Sequence, residues 1–426
     1  MNLTEFSTQT LPGWLFGFVF YYPFFMAYVW IAGGLAHAWF FERGTDFRQD
    51  PLATLAPDAH PLVTVAVPCF NEEAHVQQVI AQLMASHYAN FEVIAINDGS
   101  SDRTGELLDA MALRYPRLRV LHNVENQGKA VSLNTACQLG GGEYILGVDG
   151  DALVDPHAIG WMLAPMLRSE RIGAVTGNPR IRTRTTLIGR MQVGEFSSII
   201  GLIKRTQQLI GPLFTVSGVL AMFRRKAVIE AGFWSPDVMT EDIDMSWRLQ
   251  VRGWQLRFEP RALCWILMPE TVRGLWKQRL RWAIGGIQTM MRYSGEILRL
   301  RNRRLWPVYF EYVTSVLWAY AMATVLLVGL LRPFLPTASG WQTSAVPQWQ
   351  GMLLALTCLL QMFTSLWVDR HYDRDLLRYY ASAIWYPIAF WAITMVATVV
   401  ALPKALLRRR GQRAVWTSPD RGVTDA

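Results

Sequence analysis

Tyr144-Ile145-Leu146-Gly147-Val148-Asp149-Gly150-Asp151 is an apolar run that stops on two carboxylates separated by one glycine. A continuous apolar run of this length reads as a strand buried on both faces, so both acids emerge at its carboxyl end. The same pattern repeats upstream. Residues 62–67 form a short β-branched run ended by Pro68, residues 91–96 a second closed by Asn97-Asp98-Gly99-Ser100-Ser101, and residues 118–122 a third. Between them, residues 72–85 carry Val76, Val79, Ile80 and Leu83 at helical spacing, a helix is expected from near Asp102, and another over residues 129–139. The small and polar residues of 97–101 make a turn and cap the helix that follows. Continuous apolar strands alternating with helices predict an α/β, Rossmann-like, mostly parallel sheet covered on both faces. Such sheets bind ligands at the carboxyl ends of their strands. Residues 68–72, Asp98 and Asp149-Gly150-Asp151 all fall on that edge.

The 426 residues are 51% apolar and include 18 tryptophans, too long a chain for one small domain and too apolar to be wholly soluble. No Asp, Glu, Lys or Arg occurs in residues 6–41, 312–331, 333–368 or 379–403, and each stretch meets the roughly 20 apolar residues a spanning helix needs. The first lacks the basic start and small-residue cleavage site of a secretory signal, so it is expected to stay as an anchor. The chain divides accordingly into a transmembrane anchor (1–41), a linker (42–61), an α/β domain (62–270), interfacial helices (271–307), about three transmembrane helices (308–403) and a basic tail (404–426).

Lys and Arg number 41 against 33 Asp and Glu, and the excess is concentrated in residues 299–304 and 408–413, beside apolar stretches. That placement fits the positive-inside rule and attraction to anionic lipid, not nucleic-acid binding. Cys69, Cys137, Cys264 and Cys358 show no CxxC spacing, which speaks against a zinc site and for a reducing compartment around the domain. The charges conflict over orientation. Arg43 and Arg48 place the domain inside, yet three later crossings would leave residues 408–413 outside. Either one late segment is re-entrant, with Pro387 and Pro403 as candidate breaks, or the tail is an exception to the rule.

Two carboxylates flanking one glycine can both reach a hard divalent cation that keeps waters and bridges substrate phosphates. Asp-x-Asp is common in solvated turns, but its place after a buried strand, with Asp98 on a neighbouring strand end, makes Asp149 and Asp151 candidate metal ligands. Asp98 can hold a base or ribose, or simply bond its own turn. Lys129, after Asn126-Gln127-Gly128, offers a cation beside free N–H groups at a helix start, an anion site, with a solvated lysine as the alternative. Thr240-Glu241-Asp242-Ile243-Asp244, ahead of Trp247, Leu249 and Val251, reads as the first turn of a helix. Capping explains one or two of those acids, not three. Asp242 is the candidate general base, with Glu241 beside it, because a sugar hydroxyl needs a positioned carboxylate to take its proton. Gln278-Arg279-Leu280-Arg281-Trp282 is either part of an interfacial helix, with Trp276, Leu280 and Ile284 on one face, or a clamp. As a clamp, Arg281 takes a diphosphate and Trp282 the apolar face of a sugar. Residues 191–210, with Phe196, Ile199, Ile200 and Ile203 on one face and Lys204-Arg205 following, read as a membrane-surface helix or a core helix.

In this order, Pro68-Cys69-Phe70-Asn71-Glu72-Glu73, Asn97-Asp98-Gly99-Ser100, Asn126-Gln127-Gly128-Lys129, Asp149-Gly150-Asp151, Thr240-Glu241-Asp242 and Gln278-Arg279-Leu280-Arg281-Trp282 resemble the processive branch of glycosyltransferase family 2 over roughly residues 62–300. That branch includes cellulose, chitin and hyaluronan synthases. Three longer strings, residues 176–184, 261–271 and 416–422, resemble its biofilm poly-β-1,6-N-acetylglucosamine synthases of the PgaC type and extend the likeness to nearly the whole chain. The resemblance implies an inverting GT-A enzyme with UDP-N-acetylglucosamine (UDP-GlcNAc) as donor, a glycan acceptor, and Mg2+ or Mn2+ as cofactor. On the matched positions it implies that Phe70, Asn71 and Glu72 face the uracil, Asp98 the nucleoside, and Asp149 and Asp151 the metal and diphosphate. Asp242 would meet the acceptor hydroxyl, and Gln278, Arg281 and Trp282 the diphosphate and chain end; Val216-Ser217-Gly218 resembles a stretch near the acceptor. It further implies a bacterial inner membrane with the catalytic domain cytoplasmic. Any cyclic di-GMP control would need a small membrane partner of the PgaD type, since no regulatory module follows the last span. The sequence departs from the family in its short amino terminus, one anchor where relatives can have two. Another membrane β-glycan synthase or a non-processive lipid-linked transferase shares the same chemistry, and donor and linkage rest on the longer strings.

Overall fold

A computed structural model of the chain describes residues 11–56, 59–331, 334, 349–408, 411 and 413; the string at 416–422 lies outside them. Eight strands, β1 Val63–Cys69, β2 Phe91–Asp98, β3 Leu118–Asn123, β4 Tyr144–Val148, β5 Leu153–Val154, β6 Ile172–Ile181, β7 Leu220–Arg224 and β8 Gln255–Ile266, form one sheet. Their order is β3-β2-β1-β4-β7-β6-β8-β5. The first four in that order are parallel, as the alternation predicts. β6 and β8 are also parallel, whereas β7 runs against both β4 and β6, and β5 against β8. β6 ends on the same edge as β4, the chain then makes an excursion through residues 182–219 along that edge, and β7 therefore enters the sheet from it, with Leu220 opposite Val148.

Every residue of β1 and β4 is buried. Val65, Val67, Leu146 and Val148 pack on one face with Val76, Val79, Ile80 and Leu83 of the helix Val76–Met84, the i, i+3, i+4, i+7 stripe of an amphipathic helix. Ala66 and Ile145 pack on the other with Ala130 and Leu133 of the helix Lys129–Leu139. Replacing Ile80 or Leu83 by Ala would cost about 2–5 kcal/mol, the usual range for emptying such a site. All four cysteines are buried and unbridged.

Four segments, Gly13–Glu42, Leu300–Leu331, Trp349–Asp369 and Ala389–Leu407, are long and apolar enough to cross a membrane, which makes this a membrane-associated chain. Between them and the sheet lie the helix Leu187–Phe196, a π-helical stretch Ser197–Ile203 and the helix Lys204–Ile210. This region is neither a free surface helix nor an ordinary core helix. It is wedged between the helices Leu11–His37 and Trp349–Asp369 on one side and β6 and β8 on the other.

A buried ionic network ties these parts together. Arg205 donates through Nε and Nη2 to the Glu42 carboxylate at 2.7 and 2.8 Å, and through Nη1 to Asp369 Oδ1 at 2.8 Å. Arg180, on β6, donates to Asp369 Oδ2 at 2.5 Å, and Tyr372 Oη donates to Glu42 Oε2 at 2.7 Å. The helix Val272–Ile297 starts where Thr271 Oγ1 accepts from Gly274 N at 3.0 Å, and it packs along the helix Tyr386–Leu407. Both ends of that last helix touch the side of the molecule that carries the sheet. Tyr386 Oη donates to Glu195 Oε1 at 3.4 Å, and beyond the other end Arg413 Nη1 donates to Gln127 Oε1 at 2.6 Å.

Candidate active site

The carboxyl edge of the parallel strands is built loop against loop. The β1 loop is stapled to the β2 loop: Asn71 N–H donates to Ser100 Oγ at 3.0 Å, Ser101 N–H to Asn71 Oδ1 at 2.9 Å, and Glu72 N–H to Thr104 Oγ1 at 2.8 Å. Asn71 accepts the left-handed backbone this needs, with φ +56°. The acidic turn after β4 presses on the same loop. A Cβ at Gly150 would stand 3.0 Å from Glu72 Cγ, so glycine there permits the close approach.

Asp98 is fully buried. Its Oδ1 accepts from Asn123 Nδ2 at 2.7 Å and Gln127 N at 2.9 Å, and its Oδ2 from Gly128 N at 2.8 Å. In this structure Asp98 therefore holds the 126–128 loop, a backbone-bonding role with a neighbouring loop as partner. This corrects the expectation of free N–H groups ahead of Lys129, because Asp98 takes those of Gln127 and Gly128. Lys129 is not a solvated lysine either. Its ammonium reaches back to Asp149 Oδ1 at 2.5 Å, Glu241 Oε1 at 3.3 Å and the Gly218 carbonyl at 3.0 Å.

Gly218 links the two acidic segments, since its carbonyl accepts from Lys129 while its N–H donates to Asp242 Oδ2 at 3.1 Å. Glu241 and Asp242 open the helix Glu241–Val251 and turn toward Lys129, whereas Asp244 points into the core against Arg248, Arg292 and Tyr293. The helix Val272–Ile297 closes on this turn at Gly285, where a Cβ would collide with the Thr240 side chain, and on the helix Trp306–Leu331 at Gly286, where one would collide with the Tyr312 hydroxyl.

One cavity of about 530 Å³ is lined by Lys129, Asp149, Asp151, Gly218, Glu241, Asp242, Gln278, Arg281 and Trp282, which are remote in sequence. Phe70, Asn71, Glu72 and Asp98 are not part of its lining; they stand behind it at the ends of β1 and β2. Asp149 and Asp151 are the available metal donors, and among the described residues no group of three or more His, Cys, Asp or Glu forms a closed metal site. A cation held there would complete its shell with waters or substrate oxygens.

The electrostatics separate the two acids of the helix. Burial, then the neighbouring Glu241, pushes the Asp242 carboxyl up to about 6, against Lys129 and Arg281. Burial raises Glu241 too, but the Lys129 ammonium outweighs it and holds Glu241 below the usual carboxylate range. Burial opposes the charge on Lys129, and Asp149 and Glu241 outweigh it, so Lys129 stays charged.

Two groups escaped sequence reasoning. Lys204 lines the cavity while only 4% exposed, donates to Thr176 Oγ1 at 3.4 Å, and is pushed down to about 7 by burial despite the nearby Asp242. Its aim comes from the π-helical stretch just before it, which leaves no residue pattern to read. Arg279 lies inside the Gln278–Trp282 string, two residues from Arg281, so it points to the other face of the helix. It pairs with buried Glu195 at 2.5 Å and its guanidinium lies 4.5 Å over the Trp282 ring, backing the indole.

Residues 60–285 match the model of a family described as glycosyltransferase like family 2. The chain is 35% identical to the poly-beta-1,6-N-acetyl-D-glucosamine synthase of Staphylococcus aureus over 96% of its own length and 99% of that protein. It is 33% identical to the Staphylococcus epidermidis protein of the same name, over 96% and 98%. Among solved structures it resembles the mannosyltransferase PcManGT from Pyrobaculum calidifontis in complex with GDP-Man and Mn2+, with a TM-score of 0.59 at 19% identity over 91% of this chain and 99% of that one. That likeness is one of fold, and the fold is GT-A. With a family match over more than half of the residues and relatives that align almost end to end, the chain belongs to glycosyltransferase family 2.

Proposed function

We propose that this glycosyltransferase moves N-acetylglucosamine from UDP-GlcNAc onto the 6-hydroxyl of a growing β-1,6-linked chain, processively and with inversion, at the cytoplasmic face of a bacterial inner membrane. The names of the staphylococcal relatives support the donor and the linkage. The observation that carries processive export is the extent of the catalytic cavity, which continues from the carboxylates to Tyr312, Ser315 and Trp318 of the helix Trp306–Leu331 and to Trp391, Thr394 and Thr398 of the helix Tyr386–Leu407. A polar chain needs a protein-lined route through hydrocarbon, and hydroxyls and aromatic faces line this one.

Asp242, oriented by the Gly218 N–H, takes the proton of the acceptor hydroxyl as its oxygen bonds to the donor C1. The C1–oxygen bond to the diphosphate breaks and UDP departs with the electron pair. A carboxyl poised near 6 suits a base that works close to neutral pH. Arg281 meets the charge that grows on the leaving diphosphate, and Trp282, backed by Arg279, presents its indole to the acceptor sugar. Displacement from the opposite side turns an α-linked donor into a β-linked product. Asp149 and Asp151 fit a divalent cation: they flank one glycine, they face a cavity able to admit phosphate oxygens, and an ammonium already rests on Asp149. Mg2+ or Mn2+ held there would supply neutralisation of the diphosphate.

The contact of Arg413 with Gln127 supports a tail on the domain side and a last apolar helix that re-enters instead of crossing. This reading reconciles residues 408–413 with the positive-inside rule. The family resemblance also extends the proposal to a small membrane partner of the PgaD type and cyclic di-GMP control of the complex. The test is a panel of radiolabelled UDP-sugars supplied to the purified full chain in lipid nanodiscs. Long product from UDP-GlcNAc alone, abolished by a chelator, is expected. Single-sugar products would overturn processivity, and preferential use of another donor would overturn the sugar assignment.

A further inference from the structure

A second cavity, of about 1030 Å³, opens where the first and third apolar helices end on the domain side, and it shares no lining residue with the catalytic cavity. Its walls come from residues 38–48, residues 367–374 and Trp265 near the end of β8.

Its charge is unbalanced. Arg43, Arg48, Arg370 and Arg374 line it, and among the described residues none of these guanidiniums is in an ion pair. The carboxylates of the same walls are engaged: Glu42 by Arg205, Asp373 by Arg184, and Asp46 by the backbone N–H of Arg48 at 3.0 Å. The Arg43 guanidinium lies 4.1 Å over the Trp39 ring and that of Arg370 lies 4.8 Å over Trp367. With a ring against one side, these guanidiniums keep N–H donors to offer an oxyanion, in the fork that suits phosphate.

Two exposed apolar stripes lead to these arginines. On the third apolar helix Leu356, Leu360, Phe363 and Trp367 stand on one face at intervals of three and four residues, and all are exposed; Trp367 itself lines the cavity. On the first, Tyr28, Leu35 and Trp39 are exposed on one face and end beneath Arg43. An anion that fits both features carries a phosphate next to a long apolar tail, at the depth where a spanning helix leaves hydrocarbon.

We propose that this cavity binds the phosphate head group of an anionic phospholipid, with its acyl chains along the two stripes. Bound there, the lipid fastens the ends of the first and third spans beside the Glu42–Arg205–Asp369 network, and the proposal does not depend on which sugar the enzyme transfers.

The test is native mass spectrometry of the full chain after transfer from nanodiscs of mixed phosphatidylcholine and phosphatidylglycerol. Wild type is expected to retain phosphatidylglycerol preferentially, and the pair Arg370→Gln with Arg374→Gln to lose roughly fivefold of that preference per arginine removed. The control pair Arg301→Gln with Arg303→Gln, in the basic string ahead of the helix Trp306–Leu331, is expected to keep it. Equal losses in both pairs would mean diffuse surface attraction and overturn a site, as would equal retention of both lipids by wild type. Displacement of the retained lipid by inorganic phosphate at matched ionic strength would assign the arginines to a free phosphate and overturn the lipid. Thermal midpoint and UDP release in neutral nanodiscs check that the variants fold. The pair Arg370→Lys with Arg374→Lys keeps the charge but not the fork, and it is expected to lose the preference in part. Wild-type retention by both the Gln and the Lys pairs would sink the assignment.

Discussion

The molecule holds two charged clusters near the ends of its apolar helices, and they are built on opposite principles. In one, Glu42 and Asp369 meet Arg205 and Arg180, two charges of each sign, all buried and paired with one another. In the other, Asp149, Glu241 and Asp242 gather around Lys129, with Asp151 on the wall of the same cavity. A matched, ion-paired set holds remote segments together and has nothing left to offer a ligand. An acid-rich set that opens on a cavity is complete only when a metal ion brings cationic charge to it or an acceptor hydroxyl a proton.

The sharpest way to break this contrast is Asp242→Asn. Polymer synthesis is expected to fall by about 10²–10⁴-fold, the usual worth of a general base, with UDP binding retained. Stability should not fall. A carboxyl whose folded pKa lies above its unfolded value loses stabilisation as pH rises through that interval, so at neutral pH ionised Asp242 works against the fold and its removal leaves the thermal midpoint level or higher. Near-normal synthesis would remove Asp242 from the base role. In the ion-paired cluster the same kind of change should do the reverse. Arg205→Met leaves buried Glu42 without its guanidinium and Asp369 with Arg180 alone, and is expected to cost about 3–5 kcal/mol, read as a lower thermal midpoint and a poor yield of folded chain. Adding Glu42→Gln, while Asp369 keeps its pair with Arg180, should recover part of the loss, and no recovery would mean that Arg205 acts on Glu42 through packing instead of charge.

The two clusters also differ in how far they can be read from sequence. Asp149-Gly150-Asp151 follows a buried strand and Glu241-Asp242 opens a helix, so short-range pattern places each on the ligand-binding edge. The parallel strands β1 to β4 were legible for the same reason. The antiparallel entry of β7 was not, because it follows from where the 182–219 excursion leaves the chain. The ion-paired cluster had no local signature. Its partners Glu42 and Arg205 stand 163 residues apart, and Arg180 and Asp369 stand 189 apart. Lys129 was legible as a residue but not in its direction, which depends on Asp98 occupying the N–H groups beside it.

A smaller effect sharpens the comparison within the acid-rich set. Asp242 accepts a proton only when ionised, so turnover should be full above about pH 6 and fall by about tenfold per unit below it. Burial is the first cause of that position and Glu241 the second. Glu241→Gln removes the second, so the acid limb of the pH–rate profile is expected to move to lower pH. A limb that stays in place would mean that Glu241 does not act on Asp242 through charge.

Lys204 should produce the smallest shift, and with the opposite sign. It enters the cavity from the far wall, carried there by the π-helical stretch Ser197–Ile203, a kind of insertion that recurs at functional sites. Its side-chain hydrogen bond to Thr176 Oγ1 is long at 3.4 Å, and the same oxygen accepts from Ser217 N at 2.7 Å. Its ammonium favours an ionised Asp242, so Lys204→Met should move the acid limb to higher pH, by less than Glu241→Gln moves it down, because Lys129 and Arg281 supply the larger counter-charges. Relief of a buried ammonium should meanwhile raise the thermal midpoint. If instead the midpoint falls while the limb stays fixed, Lys204 belongs with the ion-paired cluster as a structural charge, positioning Thr176 and through it the Ser217-Gly218 turn that orients the base.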